Sequence, residues 1–197
     1  MPITINGNGT VTGLAVGGLP DGTIDRDTLA ANAKGSILQV KSSLKTDTWD
    51  SGDSTSWQDI SGTDEAGSGS VWEVNITPTS ASSKILVNWN LNLGPSAGHQ
   101  TIKLVRDSTD ILLGDSLNTY TRGSHHTYMT ATDQYDIQNF SGQYLDSPST
   151  TSATTYKLQI IQTSSSYQIY VNRPANTTDA TWNGTAASTI TVQEVAQ

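Results

Sequence analysis

The sequence predicts an all-β protein: an antiparallel β-sandwich of the jelly-roll kind, preceded by an extended N-terminal arm. Three observations carry this. The stretch Lys84–Leu93, KILVNWNLNL, sets Ile85, Val87, Trp89, Leu91 and Leu93 on every second position, with Asn88, Asn90 and Asn92 between them and Leu86 the one exception. Side chains along a strand point to alternate faces, so this is a strand with one apolar and one wet face. About ten short segments of strand type are separated by Gly, Pro, Asp and Ser clusters, and a helical period is almost absent. An antiparallel sandwich is the architecture that buries one face of each such strand.

Residues 1–35 stand apart from the rest. Ile3, Ile5, Val11, Leu14, Val16 and Leu19 are scattered among Gly7, Gly9, Gly13, Gly17 and Gly18. Apolar residues so sparsely placed cannot close a core of their own; they leave a disordered tail or, favoured by their apolar content, an extended arm whose apolar residues pack against something else, suited to attachment and to winding with copies of itself. Pro20-Asp21-Gly22 reads as a turn, and Asp25 or Asp27 would cap a short helical turn over 28–33, closed by Gly35.

Residues 36–197 read as the β-sandwich domain. Ile37 to Val40 opens it, followed by Trp57 to Ile60 and Val71 to Ile76, with polar loops between. Pro78 and a Ser/Thr run turn the chain into the central strand, which Gly94 to Gly98 ends. Thr101 to Arg106 and Ile111 to Leu113 are strands, and His126 to Thr130 and Tyr135 to Phe140 are weaker ones. Tyr156, Leu158 and Ile160 alternate within Thr154 to Gln162, and Tyr167, Ile169 and Val171 repeat the pattern after a Ser-rich turn, so a hairpin is expected. Thr189 to Val195 closes the chain as a strand within a sheet, Ile190 and Val192 inward.

Composition narrows the function. Charged residues make up 14% of the 197, against about a quarter in ordinary globular chains. Ser, Thr, Asn, Gln and Gly supply the polarity instead. A net charge of −8 argues against nucleic acid and anionic membrane surfaces as partners, since both need a basic face. Without cysteine there is no disulfide framework or thiol chemistry. The opening MPITINGNG lacks the basic and apolar regions of an export signal, and no apolar run is long enough to cross a bilayer. A chain of extracellular character without an export signal fits a virus particle released by lysis.

Five phrases carry a family resemblance: GLAVGGLPDGTIDRDTLA (13–30), KGSILQVKSSLKTDTW (34–49), ITPTSASSKILVNWNLNL (76–93), YLDSPSTTSATTYKLQI (144–160) and STITVQEV (188–195). In this order they resemble tail-fibre and virion-surface proteins of marine bacteriophages, cyanophages especially. The resemblance implies a virion protein, a tail fibre or receptor-binding protein, homotrimeric, joined to other virion proteins through its N-terminal part and presenting a β-rich tip to a host surface glycan or protein. Members of the family are often longer, with this unit at the end of a shaft.

Candidate sites follow from residue chemistry. Trp49, Trp57, Tyr120, Tyr128, Tyr135, Tyr144 and Trp182 fall in loops or at polar strand ends, where rings can stack on sugars while amides and carboxylates bond the hydroxyls. The run from Asn118 to Tyr135 gathers Tyr120, Arg122, His125, His126, Tyr128, Asp133 and Tyr135, and is the expected receptor or glycan contact. His125 and His126, with His99 elsewhere, do not read as a metal site, because adjacent strand residues face opposite ways. Asp47, Asp50, Asp53, Asp59, Asp64 and Glu65 miss the spacing of a calcium loop and read as a solvated acidic stretch. Carboxylates such as Asp115 with Asp133 or Asp136 have nothing in the sequence to bring them together for glycoside hydrolysis, and no G-x-S-x-G elbow occurs. The expectation is therefore a non-enzyme without cofactor or metal. Two alternatives stay open: a capsid decoration or connector protein, and a secreted carbohydrate-binding module.

Overall fold

The computed structural model describes residues 4–5, 11–12, 36–62, 69–94, 97–130 and 134–196. The chain divides into two units, Met1–Ser36 and Ile37–Gln197. In the first, β1 (Thr4–Ile5) pairs antiparallel with β2 (Val11–Thr12), placing Ile5 opposite Val11. Ile3, Leu14, Val16 and Leu19, and the helical turn expected over 28–33, lie outside the described residues.

The second unit is built from two antiparallel sheets, and every regular element among its described residues is a strand. The segments of the first sheet are β3 (Ile37–Lys45), β4 (Trp49–Asp50), β7 (Lys84–Gly94), β11 (Gln138–Asp146), β13 (Tyr170–Val171) and β14 (Ser188–Val195). The second sheet holds β5 (Gln58–Asp59), β6 (Glu73–Ile76), β8 (Gly98–Arg106), β9 (Thr109–Ile111), β10 (His125–Met129) and β12 (Thr154–Gln162). Several segments share one line. β9 and β10 both pair with β8, at Leu104–Arg106 and Gly98–Ile102, and β5 and β6 both pair with β12. In the first sheet β14 and β13 pair with successive parts of β7, as β3 and β4 do with β14 and β13. The sheets are thus four lines wide: β3/β4, β14/β13, β7, β11 in one, and β10/β9, β8, β12, β5/β6 in the other.

The alternation read in KILVNWNLNL is the core. Ile85, Val87, Trp89, Leu91 and Leu93 are buried, and across from them lie Ile102, Leu104, Tyr156, Leu158 and Ile160 of the second sheet. Full burial of such side chains contributes roughly 2 kcal/mol each before chain entropy is counted. As expected, β14 lies inside its sheet, between β3 and β7, with Ile190 and Val192 buried.

The expected hairpin between 154–162 and 167–171 does not form. β12 pairs with β8, β6 and β5, whereas β13 joins β7 and β4 in the other sheet. Alternation fixes which face is buried but not the partner strand, and Ile169 and Val171 reach the same core from its opposite side. The expected strand over 135–140 runs instead from Gln138 to Asp146, and that over 111–113 from Thr109 to Ile111.

Buried polar side chains hold strand ends in place. Asn172, fully buried with φ of 63°, sits where β13 leaves its line. Its Nδ2 donates to the carbonyls of Lys45 (2.9 Å) and Asp47 (3.0 Å), and its Oδ1 accepts from Ser188 Oγ (2.6 Å). At the other end of the molecule Asp146 of β11 accepts from Arg106 Nη1 (2.8 and 2.9 Å) and from Tyr156 Oη (2.7 Å), linking one sheet to the other. Burial, reinforced by the hydrogen bond to Asp146, pushes the Tyr156 hydroxyl far above its ordinary titration range.

Candidate functional site

Both outer faces of the sandwich follow from strand register. On the first sheet the outward positions include Lys84 at one end and Tyr170 beside Asp50 at the other; between them run the rows Val40–Gln193–Leu86–Leu145, Ser42–Thr191–Asn88–Gln143 and Leu44–Thr189–Asn90–Ser141. No residue in these rows is ionisable. Amides and hydroxyls bond one another: Asn139 Nδ2 donates to Asn90 (2.5 Å) and Asn92 (3.0 Å), and the Ser42 and Thr191 hydroxyls meet at 2.8 Å. Val40, Leu44 and Leu145 are 54%, 63% and 45% exposed.

The outward rows of the second sheet have the opposite character. Lys103, Gln159 and Asp59 lie side by side, as do Asp110, Val105, Lys157 and Glu73. Lys103 Nζ pairs with Asp110 at 2.8 Å and stands 4.3 Å from the centre of the Trp57 ring, and Lys157 Nζ meets Asp59 at 2.7 Å.

The expected receptor run begins at the edge beside this face, where the chain leaves β9, crosses residues 112–124 and returns as β10. The crossing is held at its base: Ser124 Oγ donates to Leu112 O (3.0 Å) and accepts from Leu104 N (3.1 Å), and Gly114 N donates to Gly123 O (3.1 Å). It encloses a pocket of about 400 Å³ lined among others by Asp115, Tyr120, Arg122, His125 and His126. Arg122 Nε donates to Gly114 O at 2.8 Å, which orients the guanidinium along the loop.

Four of the expected contact residues therefore meet at one pocket: Tyr120, Arg122, His125 and His126. The two histidines diverge as strand geometry requires. His125 turns inward, its ring edge-on to Trp89 (5.7 Å between centres) and near Phe140 (6.4 Å). Burial there lowers its pKa, favouring the neutral ring. His126 turns outward, its Nδ1 2.9 Å from Thr101 Oγ1 and its ring stacked on His99 at 5.5 Å. Tyr128 joins by the same route, 4.8 Å from His99, so a histidine distant in sequence completes the group. Only the pairing of β10 with β8 brings His99 there, and the sequence gives no sign of it. Tyr135 is exposed in the turn beyond β10, and Asp133 lies outside the described residues.

Two of the aromatic candidates are not surface groups. Trp49 is buried in the core on the inward side of β4, and Tyr144 packs against the core from β11. The acidic stretch is not simply solvated either: Lys45 meets Asp47 at 3.0 Å, Arg173 meets Asp50 at 3.4 Å, and Gln168 Nε2 donates to Asp53 at 3.1 Å. Asp64 and Glu65 lie outside the described residues. Among the described residues no group of three or more His, Asp or Glu side chains is placed to hold a metal ion.

A second loop, 173–187, leaves the first sheet between β13 and β14 and forms a pocket of about 490 Å³, lined by Asn176, Thr177, Thr178, Asn183 and Thr185 together with Arg173, Asp179 and small residues. Beside it Trp182 is 72% exposed. No protein-family model matches the chain, and no curated protein matches it in sequence.

Proposed function

We propose that the chain is a non-enzymatic adhesion protein of a phage particle: a tail fibre or receptor-binding protein that docks on other virion proteins through residues 1–35 and meets the host surface with its sandwich. The observation that carries this reading is the difference between the two outer faces. A chain of net charge −8 repels copies of itself wherever carboxylates meet. Three successive outward rows of the first sheet carry none, and offer apolar and amide groups that pack without paired ions. The second face and the 112–124 loop keep their charges, rings and imidazoles for other partners. Strand order supports the same reading. The lines β3, β14, β7, β11 and β6, β12, β8, β10 alternate between sheets along the chain except where β10 follows β8 in the second sheet, an order that fits the jelly roll of viral coat and lectin modules.

In this reading three copies form one fibre tip. Individually weak contacts at the pocket of Tyr120, Arg122, His125 and His126 become tight when several tips engage one cell. Sedimentation of the full chain is expected to give a trimer, and labelled protein is expected to coat cultured cyanobacterial cells. A monomer would remove the trimer. Binding to phage particles with none to cells would replace adhesion by decoration of the capsid or connection of its parts.

A further inference from the structure

We propose that the 173–187 loop is a binding site for a neutral sugar, with Trp182 as its stacking platform and Asn183 and Asp179 as partners for the sugar hydroxyls. The loop is built rather than slack. Its base is closed by Ala186 N donating to Asn172 O (2.9 Å), and its far side is tied to a neighbouring turn by Asn176 N donating to Gln134 O (2.9 Å). Within it Asn176 Oδ1 accepts from Thr178 N (2.8 Å), and Asn183 Nδ2 donates to Thr178 O (2.5 Å). A pocket whose walls are already fixed loses little entropy when a ligand enters.

Three features define the ligand. Asn183 lines the pocket, and its Oδ1 is shielded from solvent without a hydrogen-bond donor. Its Nδ2 is committed to two acceptors, so the orientation of the amide is fixed and the free atom is an oxygen. A buried acceptor without a donor costs stability, and a ligand hydroxyl satisfies it. Trp182, in the turn between the lining residues Ala180 and Asn183, presents a large apolar ring to solvent, the surface on which the C–H face of a sugar lies. The charge balance excludes an acidic ligand: Arg173 is already paired with Asp50 (3.4 Å) and stacked on Tyr170 (4.2 Å), which leaves the exposed carboxylate of Asp179 uncompensated. A volume of about 490 Å³ lies within the usual range for small-molecule sites.

The site rests on the adhesion reading for its use, and gives that reading a ligand class and a second point of attachment. Its test is saturation-transfer NMR on the full chain with glucose, galactose, mannose and N-acetylglucosamine at millimolar concentration, alongside cell coating. At least one sugar is expected to bind, with affinity reduced about tenfold by Trp182→Ala and left unchanged by Thr151→Ala, an exposed position before β12 outside both pockets. Asp179→Asn, at an exposed position, checks the hydroxyl contact and is expected to weaken binding without altering the melting temperature. The proposal is overturned if none of the four sugars binds, or if binding survives Trp182→Ala intact. Cell coating by the native chain that Trp182→Ala does not reduce would overturn the site and leave adhesion standing. Trp182-dependent sugar binding without any cell coating would keep the site and remove adhesion.

Discussion

Glu194 is an inward carboxylate in a strand where the inward residues before it, Ile190 and Val192, are apolar. It is fully buried, and its charge is met by neutral donors: Gln39 Nε2 at 2.7 Å, and Thr79 N and Oγ1 at 2.7 Å each. Burial alone would raise its pKa, but hydrogen bonds from Gln39, Ser83 and Thr79 outweigh it and hold the carboxyl below its ordinary value. Because the folded pKa is the lower one, the unfolded chain takes up this proton first as pH falls below about 4.5. The stability Glu194 contributes is therefore complete at neutral pH and lost as acid carries the solution down through the folded pKa. Glu194→Gln turns an amide NH₂ toward donors and is expected to cost about 2 kcal/mol at pH 7. Melting temperatures from pH 7 to pH 3 should show the two proteins converging in acid; parallel curves would contradict it. The sequence shows Glu194 one position after Gln193 and two after Val192, so its inward side was legible. Its partners at 39, 79 and 83 were not, just as the carbonyls at 45 and 47 that hold Asn172 were not, because each lies on a different part of the chain.

At the scale of strands, legibility followed the regularity of the pattern. β7 was plain because its apolar residues never miss a turn. The strand pattern of β11 breaks after Phe140 because the inward positions that follow are Gly142, Tyr144 and Asp146, of which only Tyr144 looks like core. Register supplies the reason for the other two. Gly142 stands directly opposite Trp89, and a Cβ on it would lie 2.1 Å from the indole Cζ2, so the absent side chain is the space the ring occupies. Asp146 faces inward because Arg106 and Tyr156 meet it there. Gly142→Ala is thus an overpacking change against a buried ring, expected to cost about 2 kcal/mol. Gly184→Ala, where nothing lies within 4 Å of the added carbon, is the matched control and should stay within about 0.5 kcal/mol of the native chain. Urea unfolding of the three proteins decides it; equal losses at both glycines would mean the indole has another place to go.

For the whole molecule, the sequence disclosed the polar side of one strand but not the surface it helps to make. Asn88, Asn90 and Asn92 were visibly outward, yet an uncharged face exists only because Thr189 and Thr191 align with them on one side and Ser141 and Gln143 on the other. The same holds for the pocket, whose residues from 120 to 126 are adjacent in sequence, while His99 reaches His126 through the pairing of β10 with β8 and Trp89 reaches His125 from the facing sheet. If the uncharged face is where copies meet, a charge placed on it must act on assembly and not on the fold. Val40 and Leu145 end the same row, are about half exposed, and touch solvent rather than core, so Val40→Glu with Leu145→Glu should leave the melting temperature of the protomer nearly unchanged. In a trimer the same pair adds six carboxylates to surfaces that must come within contact distance, against partners that already share the sign of the chain. Sedimentation is expected to show the trimer shifting to monomer at 0.05 M salt and partly reforming at 1 M, where screening shortens the reach of each charge to about 3 Å. A double variant that stays trimeric at low salt would assign the assembly to residues 1–35 instead, and the flat face would then be free to meet a different partner.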